Sequence, residues 1–160
     1  MGALSRTVDR LRWLKPGERM LPFEALVLLP LVALALRMRG LRWVQSTLGR
    51  WESAPFIWTD SDDAAMAARR IAWCVYAAAA YGPWPANCLQ RSVVAWWFLQ
   101  RRSIAGELRI GVRRGSDGLL DFHAWVEHDG EVINDHPDVR QWYATFDQAI
   151  EPAVTTRWDA

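Results

Sequence analysis

A chain of 160 residues, 51% hydrophobic and 23% charged, is long enough to bury its own core and has the composition of a single globular domain, 1–160. A formal charge of +1 provides no overall attraction for nucleic acid or an acidic ligand, and two cysteines cannot build a disulfide framework. No secretory pattern opens the chain, so the expected compartment is a reducing cytoplasm.

The first 60 residues read as a helical region, followed by a core from 61 to 160. Ser5 to Lys15, Pro22 to Arg39, Leu41 to Trp51 and Asp62 to Tyr81 are candidate helices, with Thr59, Asp60 and Ser61 supplying capping and first-turn groups for the last. Basic residues cluster around the second segment: Arg6, Arg10, Arg12, Lys15 and Arg19 before it, Arg37, Arg39, Arg42 and Arg50 at its end and beyond. A solvated helical face accounts for them as well as a site for an acidic partner does. The apolar run from Ala25 to Leu36 has 12 residues, interrupted by Pro30 and bounded by Glu24 and Arg37. That falls short of the roughly 20 needed to span a bilayer, so the expectation is a buried or partner-binding helix and no transmembrane span. Cys74 lies in an Ala-rich helical pattern and reads as packing.

The breakers in Gly82-Pro83-Trp84-Pro85 stop any helix there, Asn87 is a good N-cap, and no Gly or Pro follows until Gly106. Cys88 therefore opens a helix, where the dipole and unpaired backbone N–H groups favour a thiolate. The competing reading of Cys88 is a small buried hydrophobe, and only downstream partners decide between the two.

Beyond this helix the period changes. Glu107 to Arg113 alternates like a strand, Gly115 to Gly118 is a turn, Leu119 to Glu127 and Glu131 to Asn134 continue an antiparallel meander, and Asp138 to Phe146 reads as a short helix. Helices followed by a small sheet, with the Cys88 helix packed on it, give an α+β, papain-like fold.

The partners for Cys88 are His123 and Asp135, on two β-prone runs that flank Asp129-Gly130. A two-residue Asp129-Gly130 turn would set His123 across from His136 and send Asp135 to the opposite face. A three-residue loop of His128, Asp129 and Gly130 would set His123 opposite Asp135, within reach of an imidazole–carboxylate bond. The second is expected. A thiol, an imidazole and a carboxylate so arranged form the set of a papain-like or transglutaminase-like enzyme. His123, His128 and His136 all lie in or beside this hairpin, without metal-ligand spacing to either cysteine, so neither a metal nor another cofactor is expected.

Most of the 11 tryptophans are expected to fill the core. Trp96 and Trp97 cannot face the same way, so one is expected inside and the other toward a substrate groove. Trp125 shares the His123 face of its strand and is a candidate shield of the site from water.

The segments Asn87-Cys88-Leu89-Gln90-Arg91-Ser92, Phe122-His123-Ala124-Trp125-Val126-Glu127 and Val132-Ile133-Asn134-Asp135 resemble the leader peptidases of lasso peptide biosynthesis, a transglutaminase-like cysteine protease family. The Cys and His segments are similar to the wider transglutaminase core; the short chain and the N-terminal block with Leu14-Lys15-Pro16-Gly17-Glu18 narrow the likeness. The resemblance implies Cys88 as nucleophile, His123 as general base and then acid, and Asp135 as the group that orients the imidazolium. The Cys88 backbone N–H is the natural oxyanion donor, Trp84 and Asn87 are candidates for a second, and Trp84, Asn87 and Trp125 are the candidate substrate contacts.

The implied substrate is a leader–core precursor peptide. The first 60 residues lack the strand-rich pattern of a peptide-recognition domain, so the resemblance implies a separate leader-recognition protein, with a separate ATP-dependent lasso cyclase acting afterwards. Two other readings use the same chain: a transglutaminase-type acyltransferase, in which an amine intercepts the thioester, and a non-catalytic peptide-binding scaffold.

Overall fold

The computed structural model describes residues 14, 18–49 and 61–146. The candidate helix Ser5 to Lys15 falls almost wholly outside them, as do the capping groups Thr59 and Asp60 and the basic residues Arg6, Arg10, Arg12, Lys15 and Arg50.

Helix α1, Leu21–Leu48, starts with Pro22 in its first turn, where a missing N–H costs nothing, and carries Pro30 in its interior. Gly40, at φ 77° and ψ 172°, breaks it into the two expected segments, because this backbone conformation is essentially restricted to glycine. Pro30 does not end the helix, so the 12-residue apolar run lies within one continuous helical segment that begins at Leu21 and reaches the break at Gly40. By length and composition alone α1 could cross a bilayer, a test that the core helix of a soluble protein also passes. One stripe, Leu21, Ala25, Leu29 and Val32, is buried, while Met20, Phe23, Val27, Leu31 and Leu34 point outward.

Helix α2, Ser61–Tyr81, and helix α3, Cys88–Gln100, pack with the inner face of α1 around one apolar cluster that includes Ile71, Cys74, Val75, Val93, Val94, Phe98 and Leu99. Asn87 caps α3 reciprocally: its Oδ1 accepts the Gln90 N–H at 2.9 Å, and Gln90 Oε1 accepts the Asn87 N–H at 3.1 Å. Trp97 enters the core as expected of one of the tryptophan pair, and Trp96, half-buried, packs against the same cluster.

Strands β1, Glu107–Arg114, and β2, Leu120–His128, form the long antiparallel pair, extended by β3, Glu131–Val132, and β4, Ala144–Thr145, in the order β3-β2-β1-β4. The architecture is the expected α+β one, with α3 between the other helices and the sheet. The expected helix from Asp138 to Phe146 shortens to a single turn, α4, Val139–Trp142. Tyr143 is extended and buried, and Ala144 and Thr145 pair with Val112 and Gly111 on the free edge of β1, where ladder hydrogen bonds replace those of a longer helix.

Candidate active site

Cys88 occupies the first helical position of α3, so its N–H has no intrahelical acceptor and its side chain, half-buried, stands at the positive end of the dipole. His123 and Asp135 meet: Nε2 lies 2.7 Å from Asp135 Oδ2, while Asp135 Oδ1 accepts the His136 backbone N–H at 2.7 Å. With Nε2 engaged, Nδ1 is the ring nitrogen left for proton exchange.

This meeting is not made by the expected turn. His128 pairs with Glu131 and Glu127 with Val132, so the loop is the two-residue Asp129-Gly130. Both residues have positive φ, 48° and 78°, as a type I′ turn requires. Continued pairing in this register would carry Asp135 to the wrong face. Instead the ladder stops. The Ile133 N–H still reaches the Val126 carbonyl at 3.0 Å, but the Val126 N–H donates to the side-chain Oδ1 of Asn134 at 2.7 Å. Asn134 stands in for a strand partner, the chain leaves the sheet, and Asp135 turns back onto His123.

Tyr143 closes over the imidazole, its ring 5.0 Å from that of His123, and its hydroxyl donates to Asp121 Oδ2 at 2.8 Å. Arg113 pairs with the same carboxylate and lies over the phenol ring. Together Tyr143 and Arg113 hold the Asp121 carboxyl below its ordinary range. The Tyr143 phenol is pushed up by burial, by its bond to Asp121 and by a smaller repulsion from Cys88. Gly111, opposite His123, makes room for this packing, since a Cβ there would stand 2.8 Å from Tyr143 Cβ and 2.9 Å from Trp125 Cη2.

Beneath the imidazole, Trp125 is fully buried and donates from Nε1 to Glu127 Oε1 at 2.7 Å. It floors the site, which removes it from the candidates for direct substrate contact. Glu127, also buried, takes Arg140 Nε at 2.6 Å and Arg109 Nε at 3.1 Å, tying α4 and β1 to β2. Burial alone would raise its carboxyl, but the bonds from Arg140, Trp125 and Arg109 together hold it below the ordinary value.

Trp84 is exposed just before α3, and Asn87 spends its side-chain oxygen on the helix cap. Cys74 is fully buried, and burial pushes its thiol up to about 12. His128 donates from Nδ1 to the Ala105 carbonyl at 2.6 Å, and His136 stacks on Trp142.

Sequence reasoning missed Asn134, Tyr143, Gly111 and Ser92. Ser92 carried a signal, as a lone small polar residue in an apolar helix, and so did Asn134, beside Asp135.

A family model described as the transglutaminase-like superfamily matches residues 28–146. No curated protein and no solved structure matches the chain. The match spans all the elements that build this site and most of the sequence: the chain belongs to the transglutaminase-like superfamily, whose chemistry depends on a cysteine.

Proposed function

We propose that this protein is a cysteine endopeptidase that removes the leader from a lasso peptide precursor. The observation that carries the reading is the 2.7 Å bond between His123 Nε2 and Asp135, which leaves Nδ1 for the thiol that a superfamily member presents at a helix start. The resemblance of the N-terminal block and of the Cys, His and Asp segments supplies the substrate class.

Cys88 gives its proton to His123 and its sulfur attacks the scissile carbonyl, whose electron pair moves to oxygen. The Cys88 N–H faces that oxyanion. Collapse expels the core peptide's amine, which takes the proton from His123, and leaves the leader as a thioester. Water, deprotonated by His123, releases the leader acid and restores the thiol. Asp135 holds the imidazole in register and stabilises its charged form throughout.

The reading includes a separate leader-recognition protein that delivers the precursor, a separate cyclase, and a cytoplasmic location. We take α1 as a core helix rather than a span, because its inner stripe belongs to the same apolar cluster as α2 and α3.

The test is mass spectrometry of a precursor incubated with the protein and a leader-recognition partner, wild type against Cys88→Ala. Cleavage at one leader–core bond that vanishes in Cys88→Ala is the expected result. A leader–amine adduct in place of free leader acid would establish acyl transfer. Cleavage that persists in the variant would remove Cys88 from the chemistry, and an unreactive Cys88 thiol without turnover would leave a scaffold.

A further inference from the structure

Behind the candidate site runs a second set of hydrogen bonds, anchored on the buried Ser92 and reaching the partly buried Asn134. Ser92 has no exposed surface, yet its Oγ donates to the Ala124 carbonyl at 2.9 Å and accepts from Asn134 Nδ2 at 2.9 Å. Asn134 in turn accepts the Val126 N–H through Oδ1. Every member is paired, as a buried polar group requires.

The members sit at telling positions. Ser92 is four residues after Cys88, hence on the same face of α3 one turn along. Ala124 follows His123 on β2, and Asn134 precedes Asp135. Beyond Ile133 the edge of β2 has lost its strand partner, and the two side chains take the backbone groups that β3 would have taken. The helix is thereby seated against the strand edge through Ser92.

We propose that Ser92 and Asn134 are positioning residues that hold the Cys88 face of α3 in register with the His123–Asp135 pair. This rests on the cysteine–histidine reading given above. Each acts through the neighbour it carries: Ser92 through Cys88, Asn134 through Asp135. The groups facing His123 are Asp135 from the loop after β3, Tyr143 from the segment after α4, and Asp121 from its own strand, with Arg113 behind Asp121. None of them is bonded to Ser92, so Ser92→Ala leaves that charge set in place, whereas Asn134→Ala acts by loosening the hold on Asp135 within it.

The experiment measures the rate at which iodoacetamide alkylates Cys88, followed by peptide mass mapping, near neutral pH and at alkaline pH. It uses the intact protein below its melting transition. Wild type is compared with Ser92→Ala, Asn134→Ala, His123→Ala and Ser92→Ala/His123→Ala. Asn134→Ala probes the same relay from the other element should Ser92→Ala fail to fold.

The expected result is a roughly tenfold loss of rate near neutral pH in Ser92→Ala and Asn134→Ala with the alkaline rate unchanged, since only the thiolate reacts. Ser92→Ala should add nothing to His123→Ala, because both act on one pairing. A lower melting temperature with an unchanged rate ratio would make the relay merely structural and overturn the proposal. So would additive losses in the double variant. If His123→Ala itself leaves the neutral rate intact, the pairing of Cys88 with His123 fails first, and the proposal falls with it.

Discussion

The two cysteines differ in ways that labelling can read. Cys74 is enclosed in the apolar cluster with its thiol pushed up to about 12, whereas Cys88 stands half-buried at a helix start. Limited alkylation of the native protein should therefore label Cys88 and spare Cys74, as peptide mapping will show. Glu127 is the other residue with a large expected effect. Its carboxyl is held below its ordinary value, so it contributes stability above the unfolded-state value of about 4.3 and loses it as the pH falls through the lower folded value. Glu127→Gln leaves Arg109 and Arg140 facing a neutral amide. It should cost about 1–3 kcal/mol at neutral pH, since both guanidinium groups still reach water, and flatten the acid limb of a melting-temperature profile. This residue was invisible as a hub in the sequence. Its partners come from β1 and α4, and nothing in the local pattern marks a strand glutamate as buried.

At the level of elements, the hairpin joining β2 and β3 shows where sequence reasoning reached and where it stopped. Asp129-Gly130 was legible as a turn, and His123 with Asp135 as a pair. The register was not, because an expected β3 running to Asn134 made the pairing depend on strand parity. The ladder ends at Val132, and a side chain, which obeys no parity, brings Asp135 home. The short helix expected from Asp138 to Phe146 stops at Trp142 for a related reason. Ala144, Thr145 and Phe146 find partners on the distant edge of β1 that no local propensity reveals. The segment after α4 also gives a sharp test of packing around the imidazole. Gly111→Ala would drive a methyl group against the Tyr143 Cβ and the Trp125 ring. It should destabilise the protein by about 1–3 kcal/mol in denaturant titrations and slow Cys88 alkylation near neutral pH, since Tyr143 must shift off His123.

Across the whole molecule, the change from helical to strand periodicity after α3 made the α+β order readable, as did the breakers before Cys88. The reach of α1 was readable too: the helix runs through Pro30 as the Pro22 to Arg39 segment expected, and Gly40 supplies the break before Leu41. The candidate site draws a helix start from one half and a sheet edge from the other. The loss of a strand partner at that edge has a dynamic consequence. The Val126 amide proton is guarded by the Asn134 side chain rather than by another backbone, so its exchange with deuterium should record how often the loop carrying Asp135 swings free. In Asn134→Ala that proton should exchange faster, while the β2 amides facing β1 keep their protection. The same bond that seats the carboxylate would then serve as a timer of site assembly, legible in a protein that has not turned over a single substrate molecule.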